Sequence, residues 1–458
     1  MRNLLSAAAA ALAVVLLSPP AAAVTPPEVD AQAVPPSGTP GPPQPMAQRG
    51  ECSVSGVVPG TDPAAQTPSR LSLNLSEAWQ HSRGDGQTVA VIDTGVTPGP
   101  RLPNVEPGGD FVESTDGLTD CDGHGTLVAG LIAGQPGDDG FSGVAPGARL
   151  ISIRQTSAKF SPRNQGEDAT LTRATLDVTS LARAVVRAAD MGARVINISA
   201  VTCLPANKTV DQTELGAALR YAAVQKDVVI VAAAGNNRGG MSTGSACDSN
   251  PLSDPARPAD PRNWAGVSAV SIPSWWQPYV LSVGSLASTG LPSDFSMSGP
   301  WVGIAAPGEN IVSLSNGAGG GLANGQPNDQ QEMFPINGTS YSAAYVSGVA
   351  ALVRSKFPDL RADEVVRRIT ATANGAARSP SNLVGAGGVD PVAALTWDVP
   401  ASPEAGAAAE VRSVSVPPPP APDDPTPRTV AFVGTGVLAL AVLATAVVSA
   451  HRRKDTAS

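Results

Sequence analysis

The sequence predicts an α/β fold: a doubly wound, mainly parallel sheet with helices on both faces, plus one C-terminal transmembrane helix. Three observations carry this. Apolar strand-like runs alternate with helical stretches from about Thr67 to Trp397, the pattern of stacked βαβ units. The strand runs are continuously apolar rather than alternating, as expected where both sheet faces are covered. A separate uncharged run, Val430 to Ala450, is followed at once by His451-Arg452-Arg453-Lys454.

Thr88-Val89-Ala90-Val91-Ile92-Asp93 reads as a buried parallel strand ending in an acid, and Thr94-Gly95 follows. Gly123-His124-Gly125-Thr126 opens a small-residue helix that runs to Gly134. Further strands are expected at Arg149 to Ile153, Arg194 to Ser199, Val228 to Ala234, Val280 to Val283 and Val302 to Ala305. Helices are expected at Leu171 to Met191, Glu214 to Gln225 and Arg361 to Ala373. Arg238 to Asp260, rich in Gly, Ser, Asp and Pro, reads as a long loop. Asn337-Gly338-Thr339-Ser340 leads into a run of small and apolar residues that reads as a helix stopped before Pro358.

The chain has 458 residues, a net charge of −9 and only 15% charged residues. No basic patch precedes the C-terminal tail, so nucleic-acid binding has no electrostatic support. The four cysteines, Cys52, Cys121, Cys203 and Cys247, form no CxxC pair, which argues against zinc or thioredoxin-like chemistry. An even count in an exported chain points to two disulfides, for which three pairings exist. Asp116, Asp120, Asp122, Asp138 and Asp139 lack the spacing of a calcium loop and read as solvated loop acids. Neither a metal nor a cofactor is implied.

The ends organise the rest. Residues 1–23 carry a basic start, an apolar core and Ala21-Ala22-Ala23, and read as a signal peptide. Residues 24–66 are a Pro-rich extension without hydrophobic periodicity. The α/β domain spans 67–398, and 399–428 is a Pro-rich spacer with Pro417 to Pro420 in succession. Residues 429–450 are the predicted transmembrane helix: their apolar run, Val430 to Ala450, reaches roughly 31 Å at about 1.5 Å per residue, enough to cross a bilayer core. The basic tail, 451–458, places the C-terminus in the cytoplasm and the bulk of the chain outside it.

Asp93, Ser199 and Asn236 all follow apolar strand runs, so a parallel sheet brings them to one edge, where ligands of such folds bind. Ser340 in a helix's first turn reads, taken alone, first as a cap, with the alternative of a nucleophile whose own N–H faces an oxyanion. His124 lies between two glycines, His81 lies in a polar stretch and His451 lies in the tail, so His124 is the candidate base. The order Asp93, His124, Ser340 is that of one of the three chain orders known for the serine triad, and Ser340 lacks the G-x-S-x-G flanks of another.

Val91-Ile92-Asp93-Thr94-Gly95, Asp122-Gly123-His124-Gly125-Thr126, Ala233-Ala234-Gly235-Asn236 and Gly338-Thr339-Ser340 resemble the four signature blocks of subtilisin-like serine proteases, the subtilases. The resemblance runs from roughly Ser69 to Leu395. With the export signal, Pro-rich flanks, cysteines and single span, it extends to the mycosins, membrane-anchored subtilases of actinobacterial type VII secretion systems. It implies a membrane-anchored extracytoplasmic endopeptidase acting on polypeptides, among them secreted proteins, in company with a secretion complex. The alternative it leaves is a mainly structural role in that complex. Ser340 is then the nucleophile, His124 the base, Asp93 the orienting acid and Asn236 an oxyanion donor. Ser199, Ala200, Val201, Ala233, Ala234 and Gly235 match the strands lining the primary specificity pocket. The resemblance, with sequence proximity, pairs Cys52 with Cys121 and Cys203 with Cys247. The chain departs from it in Ala200-Val201 after Ser199, in Ala344 where proline is usual, and in the absence of a folded pro-domain.

Overall fold

The computed structural model describes residues 24–237, 247–375, 380–400 and 426–455. The predicted signal peptide, most of the predicted spacer, the last three residues of the tail and residues 238–246 of the predicted long loop lie outside these. Residues 1–399 and 400–458 form two separate units.

The first unit is built on a seven-stranded sheet. Its strands are β1 (Thr88–Asp93), β2 (Val105–Asp110), β3 (Arg149–Arg154), β4 (Val195–Ile198), β5 (Val229–Ala233), β6 (Val280–Leu286) and β7 (Val302–Pro307). Their order is β7-β6-β5-β4-β1-β3-β2, and every pairing is parallel. Register is tight in the centre, where Asp93 stands opposite Arg154 and Ile92 opposite Ile198. All residues of β1, β4 and β5 are buried, which explains their unbroken Val, Ile and Ala content. From β1 the chain crosses to the edge strand β2, returns to β3 between them, and then builds on the other side of β1 through β4 to β7. The direction changes at β1/β4, so the carboxyl ends of these strands open the crevice in which a doubly wound sheet binds ligands.

The main helices are α1 (His124–Ala133), α2 (Ala169–Asp190), α3 (Thr213–Arg220), α4 (Thr339–Lys356) and α5 (Ala362–Ala371). α1 and α4 pack on each other and on the sheet, while α2 packs on α3 and on the sheet. α2 is amphipathic and is capped by Asp168, whose carboxylate accepts from the N–H groups of Thr170 and Leu171 at 3.0 Å each. α4 is buried from Thr339 to Arg354 and all of α1 is buried, so neither has a polar face. Small residues make this possible: a Cβ at Gly348 would stand 2.5 Å from Val144 Cβ. The expected helix from Glu214 to Gln225 is α-helical only to Arg220, and Tyr221–Gln225 continues as a π-turn.

Residues 24–66 lie along this unit rather than forming a core of their own. Met46–Gln48 pairs antiparallel with Phe160–Pro162. Cys52 is bonded to Cys121, and Ser53 N–H donates to the Cys121 carbonyl at 2.8 Å. Asn316 joins the extension to the segment before His124. Its Oδ1 accepts from Ser55 N–H at 3.0 Å, and its Nδ2 donates to the Ser53 and Asp120 carbonyls at 2.9 and 3.0 Å. Gly56 and Gly325 exchange two backbone hydrogen bonds of 2.9 Å.

Among its described residues the second unit contains one helix, Thr426–Asp455. Within it Thr429–Ser449 is long and apolar enough to cross a membrane. The helix starts inside the predicted spacer and continues past the apolar run into the basic tail.

Candidate active site

Asp93 is the last residue of β1 and His124 the first of α1. Both are buried, and His124 Nδ1–H donates to Asp93 Oδ1 at 2.7 Å. Thr94 N–H donates to the same oxygen at 2.7 Å. A carboxylate accepting at Nδ1 puts the ring proton there and leaves Nε2 as an acceptor. Nε2 is itself buried and has no hydrogen-bond partner among the described residues. The two glycines beside His124 serve different ends. Gly123 has φ +75°, and a Cβ on Gly125 would stand 2.0 Å from the Gly95 carbonyl oxygen. That contact is what lets α1 press on the end of β1.

The segment before His124 corrects the reading of its acids. Asp120 and Asp122 are not solvated; both are buried. Asp120 Oδ1 accepts from Thr94 Oγ1 at 2.8 Å, Gly123 N–H at 2.8 Å and Asp122 N–H at 3.1 Å. Its Oδ2 accepts from Thr126 N–H at 2.8 Å and Thr126 Oγ1 at 2.7 Å. One carboxylate thus ties the residue after Asp93 to the first turn of α1. Asp122 accepts from Ala158 N–H at 2.8 Å and from the Ser157 hydroxyl. Of the other acids, Asp116 and Asp138 are exposed, and Asp139 pairs with Arg101 at 2.6 Å. No group of three metal-ligating side chains occurs among the described residues. An acid three residues ahead of the glycine that opens a helix can accept the free N–H groups of the helix start, and that is the available signal for Asp120.

Burial pushes the Asp120 carboxyl up to about 6, against the hydrogen bonds from Thr126 and with help from the Asp122 charge. For His124, burial works to lower the imidazole pKa. The charge and hydrogen bond of Asp93, then the charges of Asp120 and Asp122, outweigh it and hold the ring above its ordinary 6.5. A base must be neutral, so with His124 in that role activity is expected to be lost as pH falls through this raised value. The acid limb of kcat/KM on a peptide substrate is therefore expected to have its midpoint above pH 6.5. A midpoint at or below that value would contradict the electrostatics described here.

Ser340 is the second residue of α4, where the N–H groups have no partner inside the helix. Its hydroxyl donates to the Ser199 carbonyl at 3.1 Å, not to His124, while Ser199 Oγ donates to the Ser340 carbonyl at 3.0 Å. Asn197 Nδ2 donates to Ser199 Oγ at 2.8 Å, and Ser347 Oγ donates to Asn197 Oδ1 at 2.9 Å. These bonds lash the start of α4 to the end of β4. The ring of Tyr341, the next residue, lies 5.4 Å from the His124 ring, so the same turn sits beside the imidazole.

Asn236 follows β5. Its Oδ1 accepts from Thr339 N–H at 3.0 Å and Thr339 Oγ1 at 3.1 Å, which fixes the side chain with its amide nitrogen outside that pair of bonds. Behind it lies the second disulfide, Cys203–Cys247. Cys247 N–H donates to the Asn236 carbonyl at 2.9 Å, and a Cβ on Gly235 would stand 2.6 Å from Cys247 Sγ. Ala200, Val201, Ala233 and Ala234 are buried beside these turns. A cavity of about 490 Å³ lined by Ser69, Leu286, Asn374 and Val389 contains none of the groups named here, so cavity size does not locate the site.

Residues 84–387 match the Subtilase family. The chain belongs to the subtilase family. This subtilase is 66% identical over 434 residues to Mycosin-3 of Mycobacterium tuberculosis, covering 94% of each chain. It is 48% identical to Mycosin-1 of Mycolicibacterium smegmatis, covering 91% of each. Among solved structures, it superposes with a TM-score of 0.79 and 72% identity on the MycP3 protease from the type VII (ESX-3) secretion system, covering 82% of this chain and 100% of that one. It also matches a chain of the intact ESX-5 inner membrane complex with a TM-score of 0.79 and 48% identity, covering 92% of this chain and 100% of that one. It is thus a subtilisin-like serine endopeptidase with mycosins as relatives over almost its whole length.

Proposed function

We propose that Ser340, His124 and Asp93 are the catalytic residues of this subtilase, and that Asn236 Nδ2 and the Ser340 N–H receive the oxyanion. The observation that carries the reading is the buried Asp93–His124 hydrogen bond of 2.7 Å, which leaves Nε2 without a partner beside the first turn of α4. The Ser340 hydroxyl turns from the Ser199 carbonyl to Nε2 and gives up its proton as Oγ attacks the scissile carbonyl. The imidazolium so formed is held by the Asp93 carboxylate and then protonates the leaving amine. The acyl-enzyme is hydrolysed by the same steps with water in place of the serine. Ser199, Ala200 and Val201 form one wall of the primary specificity pocket, and Ala233, Ala234 and Gly235 the other.

Residues 67–398 are the peptidase domain, held outside the cytoplasm by a single span over 429–450 behind the spacer 399–428, with the signal peptide 1–23 removed. Residues 24–66 brace the domain, and 451–458 face the cytoplasm. Its substrates are polypeptides, including secreted proteins, and it works beside a type VII secretion membrane complex. The relatives named for ESX-3 and ESX-5 systems support that setting. An active-serine phosphonate probe is expected to label the purified protein, and Ser340→Ala to abolish labelling. Equal labelling of both proteins would overturn the assignment.

A second reading, in which the domain mainly braces the membrane complex, is favoured by the likeness to a chain of the intact ESX-5 complex. Ser340→Ala expressed in cells lacking the protein separates the two. Restored secretion supports bracing, and failed secretion supports proteolysis.

A further inference from the structure

Tyr341 follows Ser340 directly, yet nothing in the chemistry above uses it. It is 1% exposed, and its ring meets the His124 ring at 5.4 Å between centroids with a 49° tilt. That lies within the range in which aromatic rings attract one another. Its phenol donates to Gln326 Oε1 at 3.0 Å, and Gln326 is itself buried. Burial, with the charges of Asp93 and Asp120, pushes the phenol well above its ordinary 10, so it remains a donor throughout the working range.

Gln326 is itself held. It belongs to the strand Gly325–Pro327, which pairs antiparallel with Met333–Pro335, Gln326 opposite Phe334. On its other side Gly325 is bonded to Gly56 of the N-terminal extension. A continuous line of contacts therefore leads from the extension through Gly325 and Gln326 to the Tyr341 phenol, and through its ring to the imidazole.

The imidazole needs such support. Asp93 holds His124 at Nδ1 only, and one hydrogen bond leaves the ring free to swing about the Nδ1 end. Nε2 must meet a hydroxyl now bonded to Ser199 and later a leaving amine. A ring packed on the imidazole and pinned at its far end by Gln326 removes that freedom.

We infer that Tyr341 is a positioning residue for His124, and that the Tyr341–Gln326 hydrogen bond sets the ring that does the positioning. This rests on the proposed role of His124 as base. The residue acts through His124 and touches no reacting atom.

The test uses the full-length protein in detergent, the pH-dependent second-order rate of labelling by an aryl phosphonate, and KM and kcat on a peptide substrate. Tyr341→Phe keeps the ring and loses the pin, and Gln326→Leu loses the pin from the other side. Each is expected to slow labelling and lower kcat about three- to tenfold, with KM within twofold of the parent. Because they remove one bond, the double variant is expected to be no slower than either single one. Tyr341→Leu, which also removes the ring, is expected to be slower than Tyr341→Phe. Wild-type rates and pH profile in Tyr341→Phe, or multiplicative losses in the double variant, would overturn the inference. A lowered Tm with unaltered labelling would overturn it as well, by making the contact merely structural. If the parent itself failed to label, the catalytic assignment would fall on its own account. The positioning would still be read by ¹⁵N NMR titration of His124, one of only three histidines. An imidazole titration unaltered by Tyr341→Phe would then refute it.

Discussion

Asp93→Asn is expected to lower kcat by about 10⁴-fold with KM changed by no more than a few-fold, the scale of loss for a triad carboxylate. The physical reason is charge. As the proposed base, His124 becomes in the transition state an imidazolium whose Nδ1 lies 2.7 Å from Asp93 Oδ1, and both side chains are buried. Solvent does little to stabilise a cation in that place, so the facing carboxylate must. An amide of the same shape can still accept from Nδ1–H and from Thr94 N–H, which is why substrate binding should survive. The substitution carries a second signature. The Asp93 charge and hydrogen bond are the main forces raising the His124 pKa against burial. Without them the imidazole stays neutral to lower pH, and the acid limb of the residual activity moves down. Steady-state kinetics across pH measures both effects. A loss under a hundredfold, or an acid limb that stays in place, would refute the assigned role.

The second large effect is expected at Asn236. Asn236→Ala should cost about 10²- to 10³-fold in kcat, as expected when one preorganised oxyanion donor is removed, with KM little changed. The side chain does two jobs, because its Oδ1 also accepts from Thr339 N–H and Oγ1 at the start of α4. Asn236→Asp separates them. It keeps an acceptor for Thr339 and replaces the donor with a second anion facing the developing oxyanion. Activity should fall at least as far as in Asn236→Ala, while Tm stays closer to the parent. A weakly impaired Asn236→Asp would mean that the residue matters only for holding the turn.

Much of this was legible because parallel strands buried on both faces write themselves as plain apolar runs. β1, β4 and β5 are such runs, and the residue types just beyond them are hard to explain as core. The small-residue helices were equally plain, since Ala, Gly and Ser in that density pack where Leu and Phe do not fit. β2 was not legible. It is an edge strand containing Pro107, Gly108 and Gly109, and that composition reads as loop; only at an edge can a sheet tolerate the proline. Asp120 and Asp122 were misread for a related reason. Acids in a glycine-rich stretch are solvated unless donors converge on them; for Asp120 that convergence depends on the turn at Gly123, and for Asp122 on the distant Ser157-Ala158 pair. The Tyr341–Gln326 bond joins residues fifteen positions apart through a hairpin with no strong pattern, so no local signal announced it. The extension lacks periodicity because it is held by backbone hydrogen bonds and a disulfide rather than by a buried face of its own.

The burial of α4 has a consequence for how the enzyme fails. Amides in a helix enclosed on all sides exchange with solvent only when the surrounding core opens, so this helix belongs to the most protected cooperative unit of the domain. Ser340 sits on its first turn. The proposed nucleophile therefore has no local melting event of its own, as a serine on a surface loop would. Heat inactivation and global unfolding become one transition, and an enzyme that is still folded still has its serine in place.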